Sequence, residues 1–318
     1  MIDVIKIFIP NKGDQRYSPL QFPNLHQPLS KKHESGYWEG KIEGQDIYLT
    51  AFSTGLEVKA CLPKIIHGEN VTNLNRQGVE KSVNDLADIL DCGYLDLELE
   101  RVVVTSVEVS VSLIMREIPG KYYFLFGENP QMDMSYFIKH GRVTGVNYVS
   151  ETGPVSFTAY DKIAYSVLKK TPVPPDRKAA NVLRLELRLK TAEVIRKKFG
   201  RDLSPLDLYD EDVYRKLKTF LHEWYLSVPK TGQEIFLSAE GTLTLLRLKD
   251  LCAKLYYQLF PLDWQCTVSA ARGQGRLSDD NYREIKRFFK RDSKGLESRR
   301  HELIAELDDK LLDMVNEG

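Results

Sequence analysis

The sequence lacks the features of several protein classes. No apolar run approaches the ~20 residues that cross a bilayer, so no membrane span is expected. The first ten residues are too short and too charged for a signal peptide, and they predict a strand instead. Zinc-site spacing of the C-x-x-C kind is missing, and the four cysteines are widely spread, which favours buried thiols of a cytosolic protein over disulfides: Cys61, Cys92, Cys252 and Cys266.

The chain also lacks an excess of charge of either sign, with 45 Lys and Arg against 45 Asp and Glu. Whole-protein electrostatics therefore does not indicate a nucleic-acid partner. A local excess lies in residues 272–300, with ten Lys or Arg against five Asp or Glu, which suits a phosphate backbone and a solvated helix face equally well. The six histidines form no His-x-His pair, so metal binding through imidazole has little support.

A chain of 318 residues is long enough for one large domain or two smaller ones. Alternating strands and amphipathic helices occupy residues 1–226, a stretch with proline and glycine follows, and residues 234–318 are helical throughout. The sequence therefore predicts an α+β fold. We expect a mostly antiparallel sheet with helices on one face, followed by a helical C-terminal domain.

Three predicted strands each carry a single glutamate in the middle of a polar face. In the strand predicted over 181–190, leucines alternate with Arg184, Glu186, Arg188 and Lys190. Two other predicted strands carry Glu57 and Glu108. One such glutamate is most often a solvated surface residue. Three on separate strands suggest a site for a hard cation, Mg²⁺ or Mn²⁺, because these ions prefer oxygen ligands.

A tyrosine lies close to this predicted site in sequence. Tyr160 is followed two residues later by Lys162, at the end of the strand before the one carrying Glu186. As a phenolate, tyrosine can attack phosphorus, although ionising a phenol of pKa about 10 at neutral pH costs roughly 4 kcal/mol. A metal or Lys162 could offset that cost. Among the sixteen tyrosines, Tyr148 and Tyr165 are the competitors, and a core tyrosine with a satisfied hydroxyl is the plain alternative.

Several ordered stretches resemble a known family, the strand-nicking replication initiators of filamentous bacteriophages, which are grouped with phage X-type and rolling-circle replication proteins. The resemblance covers roughly residues 1–220 and rests on the following stretches, in order: Met1-Ile2-Asp3; Glu57-Val58-Lys59-Ala60 with Pro63-Lys64 and His67-Gly68-Glu69-Asn70-Val71; the strand of Glu108; Ala159-Tyr160 with Lys162; and Leu183-Arg184-Leu185-Glu186-Leu187-Arg188-Leu189-Lys190, continuing into Phe199-Gly200 and Leu206.

The resemblance implies a site-specific single-strand endonuclease. Such an enzyme cuts one strand of a double-stranded phage or plasmid origin, stays attached through a phosphotyrosine bond and later closes the displaced strand. It implies that residues 1–226 form the catalytic nicking domain, that residues 234–318 bind DNA, and that the protein works in the host bacterial cytoplasm with a replication helicase and polymerase. The chain departs from the wider rolling-circle class in lacking its His-hydrophobic-His metal motif.

The resemblance also implies roles for individual residues. Tyr160 occupies the family's Ala-Tyr-x-Lys position and becomes the nucleophile, with Lys162 beside it. The three glutamates Glu57, Glu108 and Glu186 become metal or active-site acids. Apart from the resemblance, positively charged side chains on the polar faces suit phosphate groups, so we expect the following residues to contact DNA: Lys59, Arg184, Arg188 and Lys190.

Two other functions fit the same residues. A hydrolytic nuclease would use an activated water and leave no covalent adduct. A non-catalytic origin-binding or single-strand-binding protein would use its tyrosines only to stack on bases.

Overall fold

The computed structural model describes residues 1–11, 25–29, 38–90, 98–123, 125–127, 129, 131–139, 142–230, 283 and 302–316. The chain divides into two compact units. Unit 1 comprises Met1–Gly120, Glu128–Val228 and Leu311–Gly318, and unit 2 comprises Lys121–Gly127 and Pro229–Lys310. Most of the helical domain predicted over 234–318, including the basic stretch 272–300, lies outside the described residues. The predicted domain boundaries therefore stay predictions.

Unit 1 is built on one sheet of ten strands. In chain order the strands are β1 (Ile2–Pro10), β2 (Leu25–Leu29), β3 (Trp38–Ile42), β4 (Ile47–Phe52), β5 (Gly55–Cys61), β6 (Val103–Met115), β7 (Met132–Lys139), β8 (Arg142–Ser150), β9 (Val155–Asp161) and β10 (Asn181–Leu189).

The strand order across the sheet is β2-β3-β4-β5-β1-β6-β10-β9-β8-β7, and every neighbouring pair is antiparallel. The predicted α+β class with a mostly antiparallel sheet is therefore confirmed. β1 lies between β5 and β6, and β10 lies between β6 and β9. Strands distant in sequence thus become neighbours in the middle of the sheet, where the candidate site is built.

The two faces of the sheet differ in chemistry, as the alternation in β10 predicts. Leu183, Leu185, Leu187 and Leu189 are fully buried on one face, which we call the apolar face. Arg184, Glu186 and Arg188 lie on the other, which we call the polar face. Because partners in an antiparallel pair share a face, the polar face can be followed from strand to strand through the register of the sheet.

The described residues contain seven α-helices: α1 (Leu62–His67), α2 (Arg76–Leu90), α3 (Gly120–Tyr123), α4 (Lys162–Lys169), α5 (Ala192–Phe199), α6 (Glu211–Ser227) and α7 (302–316). Their ends follow local chemistry. Asp161 caps α4 by accepting a hydrogen bond from the Ala164 amide at 2.9 Å, and α5 ends at Gly200 with a left-handed φ of 77°. None of the described helices is long and apolar enough to cross a membrane.

Two short helical turns lie between the longer elements. α3 is a helical turn whose side chains Tyr122 and Tyr123 are buried. Ser204 is the N-cap and Pro205 the first residue of a short 3-10 turn that ends at Tyr209. Asp210 then caps α6 by accepting from the amides of residues 212 and 213.

In unit 2 the structure describes residues 121–123, 125–127, 229–230, 283 and 302–310. The Tyr122 hydroxyl donates to Glu306 Oε2 at 2.5 Å, and both side chains are buried. Lys230 Nζ lies 5.7 Å from the centre of the Phe126 ring. These contacts tie residues 121–127 to α7 through Glu306 and to Lys230 inside this unit.

Candidate active site

The polar face carries its charged residues in three adjacent rows across β6, β10 and β9. Arg184 pairs with Ser112 on β6 and with Tyr160 on β9. Glu186, one row further, pairs with Ser110 and Thr158, and Arg188 pairs with Glu108 and Ser156. The small neighbours Ser110, Ser112, Ser156 and Thr158 leave room for the long charged side chains above the sheet.

Three carboxylates meet at this point: Asp3, Glu108 and Glu186. Each offers one oxygen, and these oxygens lie within 4.8 Å of one another. All three side chains are buried. Asp3 reaches the group because β1 has a register shift against β6 between Ile2 and Val4, next to the partner of Glu108. This buried acidic triad could hold a metal ion.

Arg184 forms hydrogen bonds with two acids of the triad, Asp3 and Glu186. A guanidinium has five N–H donors, and Arg184 makes five hydrogen bonds. Nε donates to Glu186 at 3.2 Å and Nη2 donates to Asp3. The remaining three bonds go to the Asn70 carbonyl oxygen, Ser112 Oγ and Ser110 Oγ, at 2.8, 2.8 and 2.6 Å. With its side chain 1% exposed and every donor engaged, Arg184 positions the acids.

Arg188 bridges the other side of the triad. Its Nε donates to Glu108 Oε2 and its Nη2 donates to Glu186 Oε2 at 2.9 Å. Unlike Arg184, it is 46% exposed, so part of its guanidinium faces solvent at the rim of the site. It is the cation of this cluster that an incoming phosphate can reach.

Tyr160 donates its hydroxyl hydrogen to Glu186 Oε1, the same oxygen that accepts from Arg184. The phenol is therefore one hydrogen bond away from the acidic triad. Its side chain is 7% exposed, and its ring contacts that of Tyr165 edge-on, with 5.1 Å between the ring centres. The phenol lies in a polar cluster and not among the leucines of the apolar face.

Lys162 is the second buried cation beside Tyr160. Its Nζ lies 5.9 Å from the centre of the Tyr160 ring and donates to Asn70 Oδ1 at 2.9 Å. Asn70 also offers its carbonyl oxygen to Arg184. The segment after α1 is itself held by Glu69, whose carboxylate accepts from the amides of residues 71 and 72. This segment therefore fixes two cations of the site through one residue.

Burial and neighbouring charges raise the pKa values of some groups of the site and lower those of others. Burial raises the pKa of Glu108 well above its usual range, and the charges of Glu186 and Asp3 raise it further. Burial also acts to raise the pKa of Asp3, but the charges of Arg184 and Lys162 and the hydrogen bonds from Cys61 and Glu108 together outweigh it and lower the pKa to about 2. Burial, reinforced by Arg184, lowers the pKa of Lys162 to about 8.

The pKa of Tyr160 is raised well above its ordinary value, first by burial and then by the negative charge of Glu186. A phenolate here needs a compensating positive charge at the carboxylates. The raised pKa of Glu108 points to the same need, since three buried acids repel one another. Three hard oxygen donors close enough to share one ion fit Mg²⁺ or Mn²⁺.

The structure brings together four of the residues predicted for catalysis and metal binding: Tyr160, Lys162, Glu108 and Glu186. It does not bring Glu57 to them. Glu57 pairs with Phe8, four residues along β1 from the partner of Glu108, a separation of roughly 13 Å at ~3.3 Å per residue. Its carboxylate instead forms an ion pair with Lys6 at 2.9 Å.

The predicted DNA contacts are also spread out. Arg188 lies at the rim of the site and Arg184 beneath it. Lys59 pairs with Lys6 on β1 and lies on the polar face, and Lys190 donates to the Gly153 carbonyl oxygen at 3.1 Å. Of the competing tyrosines, Tyr148 is fully buried on the apolar face opposite Phe157, whereas Tyr165 touches Tyr160. Their predicted roles stay predictions.

Sequence reasoning missed Asp3. A signal was present: Asp3 is a charged residue among the apolar Ile2, Val4 and Ile5 of a predicted strand, and a fully buried aspartate is rare unless it is paired. The residue also lay in the first of the stretches that carry the family resemblance. The missing information was the strand order, because only the pairing of β1 with β6 brings position 3 to Glu108.

No protein-family model matches the chain. No curated protein matches it either. Among solved structures, the chain is similar to a rolling circle replication initiator protein from Geobacillus stearothermophilus, with 13% identity over 80% of this chain and 95% of that chain. The TM-score is 0.38, which is too low to establish a shared fold, so no residue role is transferred from that protein.

Proposed function

We propose that this chain initiates rolling-circle DNA replication as a site-specific nicking and joining enzyme. The observation that carries the proposal is the hydrogen bond from the Tyr160 phenol to Glu186, because it joins a potential nucleophile to a buried acidic triad that could hold a metal ion. The ordered sequence resemblance to the filamentous-phage initiators supports the same function. The proposed substrate is double-stranded phage or plasmid origin DNA.

In the proposed reaction the Tyr160 oxygen attacks the scissile phosphorus. A phosphorus–oxygen bond to tyrosine forms, the bond from phosphorus to one sugar oxygen breaks, and that oxygen takes up a proton. The reverse reaction, with the hydroxyl end of the displaced strand, closes that strand without ATP because the tyrosine ester keeps the energy of the phosphodiester.

The residues around Tyr160 have distinct proposed roles. Glu186 accepts the phenolic hydrogen bond and orients the ring. Lys162 offers a positive charge to the phenolate, and Arg188 binds a phosphate oxygen at the rim. Asp3, Glu108 and Glu186 would hold Mg²⁺ or Mn²⁺, which when bound supplies the positive charge that favours the phenolate and neutralises the phosphate. Arg184 keeps the three carboxylates in place.

The test is covalent capture. The full chain is incubated with Mg²⁺ and supercoiled DNA of the replicon that encodes it, and the products are resolved in detergent. We expect a nicked circle and a protein–DNA adduct that survives detergent, and we expect both to disappear in Tyr160→Phe. Tyr148→Phe and Tyr165→Phe serve as matched controls. An undiminished adduct in Tyr160→Phe would refute the role of that tyrosine, and loss of the adduct in Tyr165→Phe alone would transfer it.

A second candidate is a hydrolytic nuclease that uses the same acidic triad. It is favoured by the burial of Tyr160 and by its raised pKa, which makes the phenol a poor nucleophile without a bound cation. In the same experiment this enzyme would cut the DNA in a metal-dependent reaction that needs Glu186, leave no adduct and keep its activity in Tyr160→Phe.

A further inference from the structure

The polar face continues beyond Tyr160 towards the edge of the sheet. Tyr160 on β9 pairs with Gly145 on β8, and Gly145 pairs with Phe137 on β7, the edge strand. Phe137, Gly145 and Tyr160 therefore form one row, which continues on the other side of Tyr160 to Arg184. The aromatic residue Phe137 thus lies two strands away from Tyr160, the predicted nucleophile, on the same face of the sheet.

Gly145 leaves this row without a side chain between the two aromatic residues. A Cβ atom at this position would lie 2.5 Å from Tyr160 Cβ, 2.7 Å from the Ala159 carbonyl oxygen and 3.1 Å from Phe137 Cδ2. The space above Gly145 is therefore already taken up by its neighbours, and Phe137 and Tyr160 approach each other over bare backbone. Glycine is required here by close packing and not by an unusual backbone angle.

A second exposed aromatic residue contacts Tyr160 directly. Tyr165 lies in the first half of α4, which begins directly after β9, and its ring contacts Tyr160 edge-on. Tyr165 is 42% exposed and Phe137 is 44% exposed. Lys169, one turn further along α4, places its Nζ 5.8 Å from the centre of the Tyr165 ring. The site is thus flanked by two solvent-facing rings, one with a cation beside it.

Single exposed aromatic residues are common on protein surfaces and need no explanation. Two of them next to a buried phenol, with a partly exposed arginine in the same cluster, form a more specific arrangement. Aromatic rings stack on nucleobases of any sequence, and nearby cations track the phosphates. In a duplex the bases stack on each other, so their faces are not free. The arrangement therefore suits unpaired bases.

We infer that Phe137 and Tyr165 are stacking positions for the unpaired nucleobases that flank the phosphate attacked by Tyr160. The ligand class is single-stranded DNA, with one base on each ring and the phosphate between them directed to Arg188. This inference rests on the proposed nicking function, because it takes the attacked phosphate to lie at Tyr160.

The test measures binding of a fluorescent oligothymidine to the full chain by anisotropy in EDTA, where no cleavage is expected. Phe137→Leu and Tyr165→Leu remove a ring but keep an apolar side chain. We expect each to weaken binding roughly ten-fold and the double variant roughly a hundred-fold, given the typical strength of base–aromatic stacking. Phe137→Tyr and Tyr165→Phe, which keep the ring, should retain wild-type affinity.

The matched control is Tyr136→Leu. Tyr136 lies next to Phe137 on β7 and is 45% exposed, but its register partners Val146 and Ala159 place it on the apolar-face side. It should bind oligothymidine as the wild type does. Because stacking involves no ion release, the salt dependence of the remaining binding should also keep its slope in the two ring-deleting variants. A duplex of the same length should bind all variants equally.

Three results would overturn the inference: unchanged oligothymidine affinity in the double variant, an equal loss in Tyr136→Leu, or an equal loss of duplex binding. The outcome is separable from that of the nicking proposal. If wild-type protein forms no adduct but the ring-deleting variants lose single-strand affinity, nicking is refuted and the stacking positions stand. If the adduct forms while the double variant keeps full affinity, the stacking positions are refuted and nicking stands.

Discussion

Glu108 is the residue whose protonation responds most directly to a bound cation. Burial, together with the negative charges of Glu186 and Asp3, raises its pKa well above the usual range, and the charges of Arg188 and Arg184 offset this only in part. In the absence of a divalent ion the folded chain therefore holds a proton on Glu108 at pH values where the unfolded chain has lost it. A metal ion would replace that proton, because carboxylates bind metals in the ionised form.

The first prediction follows from this exchange. In EDTA the contribution of Glu108 to the free energy of unfolding should fall as the pH rises from about 4.5 towards its raised pKa, with a slope of up to about 1.4 kcal/mol per pH unit. Burial lowers the pKa of the Met1 amino group to about 5, which acts in the opposite direction, so the contribution of Glu108 is measured as the difference between the wild type and Glu108→Gln. The sign for Glu108 follows from the proton count, since this group binds more protons in the folded state than in the unfolded state in this window. Added Mg²⁺ or Mn²⁺ should stabilise the protein increasingly across the same window. Urea unfolding between pH 5 and 8, with and without metal, measures both effects.

The variant that tests this prediction is Glu108→Gln, and Glu57→Gln is its control. Glu57 lies on the same face of the sheet but is ion-paired with Lys6, away from the triad. Glu108→Gln should remove the falling contribution of this group and most of the metal stabilisation, whereas Glu57→Gln should leave the pH dependence and the metal stabilisation unchanged. A full metal response in Glu108→Gln would exclude Glu108 as a ligand, and loss of that response in Glu57→Gln would restore the ligand role predicted from the sequence.

At the scale of elements, the alternation of side chains explains what could be predicted. The pattern in β10 assigns Arg184, Glu186 and Arg188 to one face and four leucines to the other, because a strand has a period of two residues whatever its neighbours are. The same rule placed Glu108 with Ser110 and Ser112. A strand carries no information on its partners, however, and the choice of Glu57 over Asp3 failed for that reason.

The positions of Arg184 and Asn70 could not be read from the sequence for a related reason. Arg184 was predicted to contact DNA because an arginine on a polar strand face is normally solvated. Its burial depends on the segment after α1, where the Asn70 carbonyl oxygen accepts one of its five hydrogen bonds across 114 residues of sequence. Long-range contacts of this kind decide whether a charged residue binds a partner or supports its own site.

The second prediction concerns the packing of β8 against β9. Gly145→Ala introduces a Cβ atom that would lie 2.5 Å from Tyr160 Cβ and 2.7 Å from the Ala159 carbonyl oxygen, so strand β8 or the Tyr160 side chain must move. We expect a loss of about 1–3 kcal/mol in the free energy of unfolding, as is usual for overpacking. We also expect a slower formation of the covalent adduct, because the phenol is displaced from Glu186.

The matched control is Thr144→Ala, the preceding residue of the same strand, whose partly exposed hydroxyl donates a long 3.3 Å hydrogen bond to the Phe137 carbonyl oxygen. It should change the free energy of unfolding by less than about 0.5 kcal/mol, as surface substitutions commonly do. Urea unfolding and single-turnover adduct formation are measured on both variants. Wild-type stability together with a wild-type adduct rate in Gly145→Ala would contradict the close packing.

At the scale of the whole molecule, the folding units do not follow the order of the chain. Unit 1 contains the sheet and also the last residues, Leu311–Gly318, whereas unit 2 contains the stretch 229–310 and the short segment 121–127. The chain therefore leaves the sheet unit and returns to it at its end. The predicted domains, residues 1–226 and 234–318, stay predictions, because proline and glycine in the sequence mark where an element stops but not where a later segment packs.

The third prediction tests this return. Leu311 is fully buried whereas its neighbour Leu312, on the same helix α7, is 50% exposed. Leu311→Ala should lower the free energy of unfolding by about 2–5 kcal/mol through lost burial and a residual cavity, and Leu312→Ala by less than about 0.5 kcal/mol. Because Leu311 belongs to the sheet unit, the loss should appear as faster native-state hydrogen exchange of the amides of β10 in the middle of the sheet. If β10 keeps its wild-type protection in Leu311→Ala, the end of the chain does not fold with the sheet.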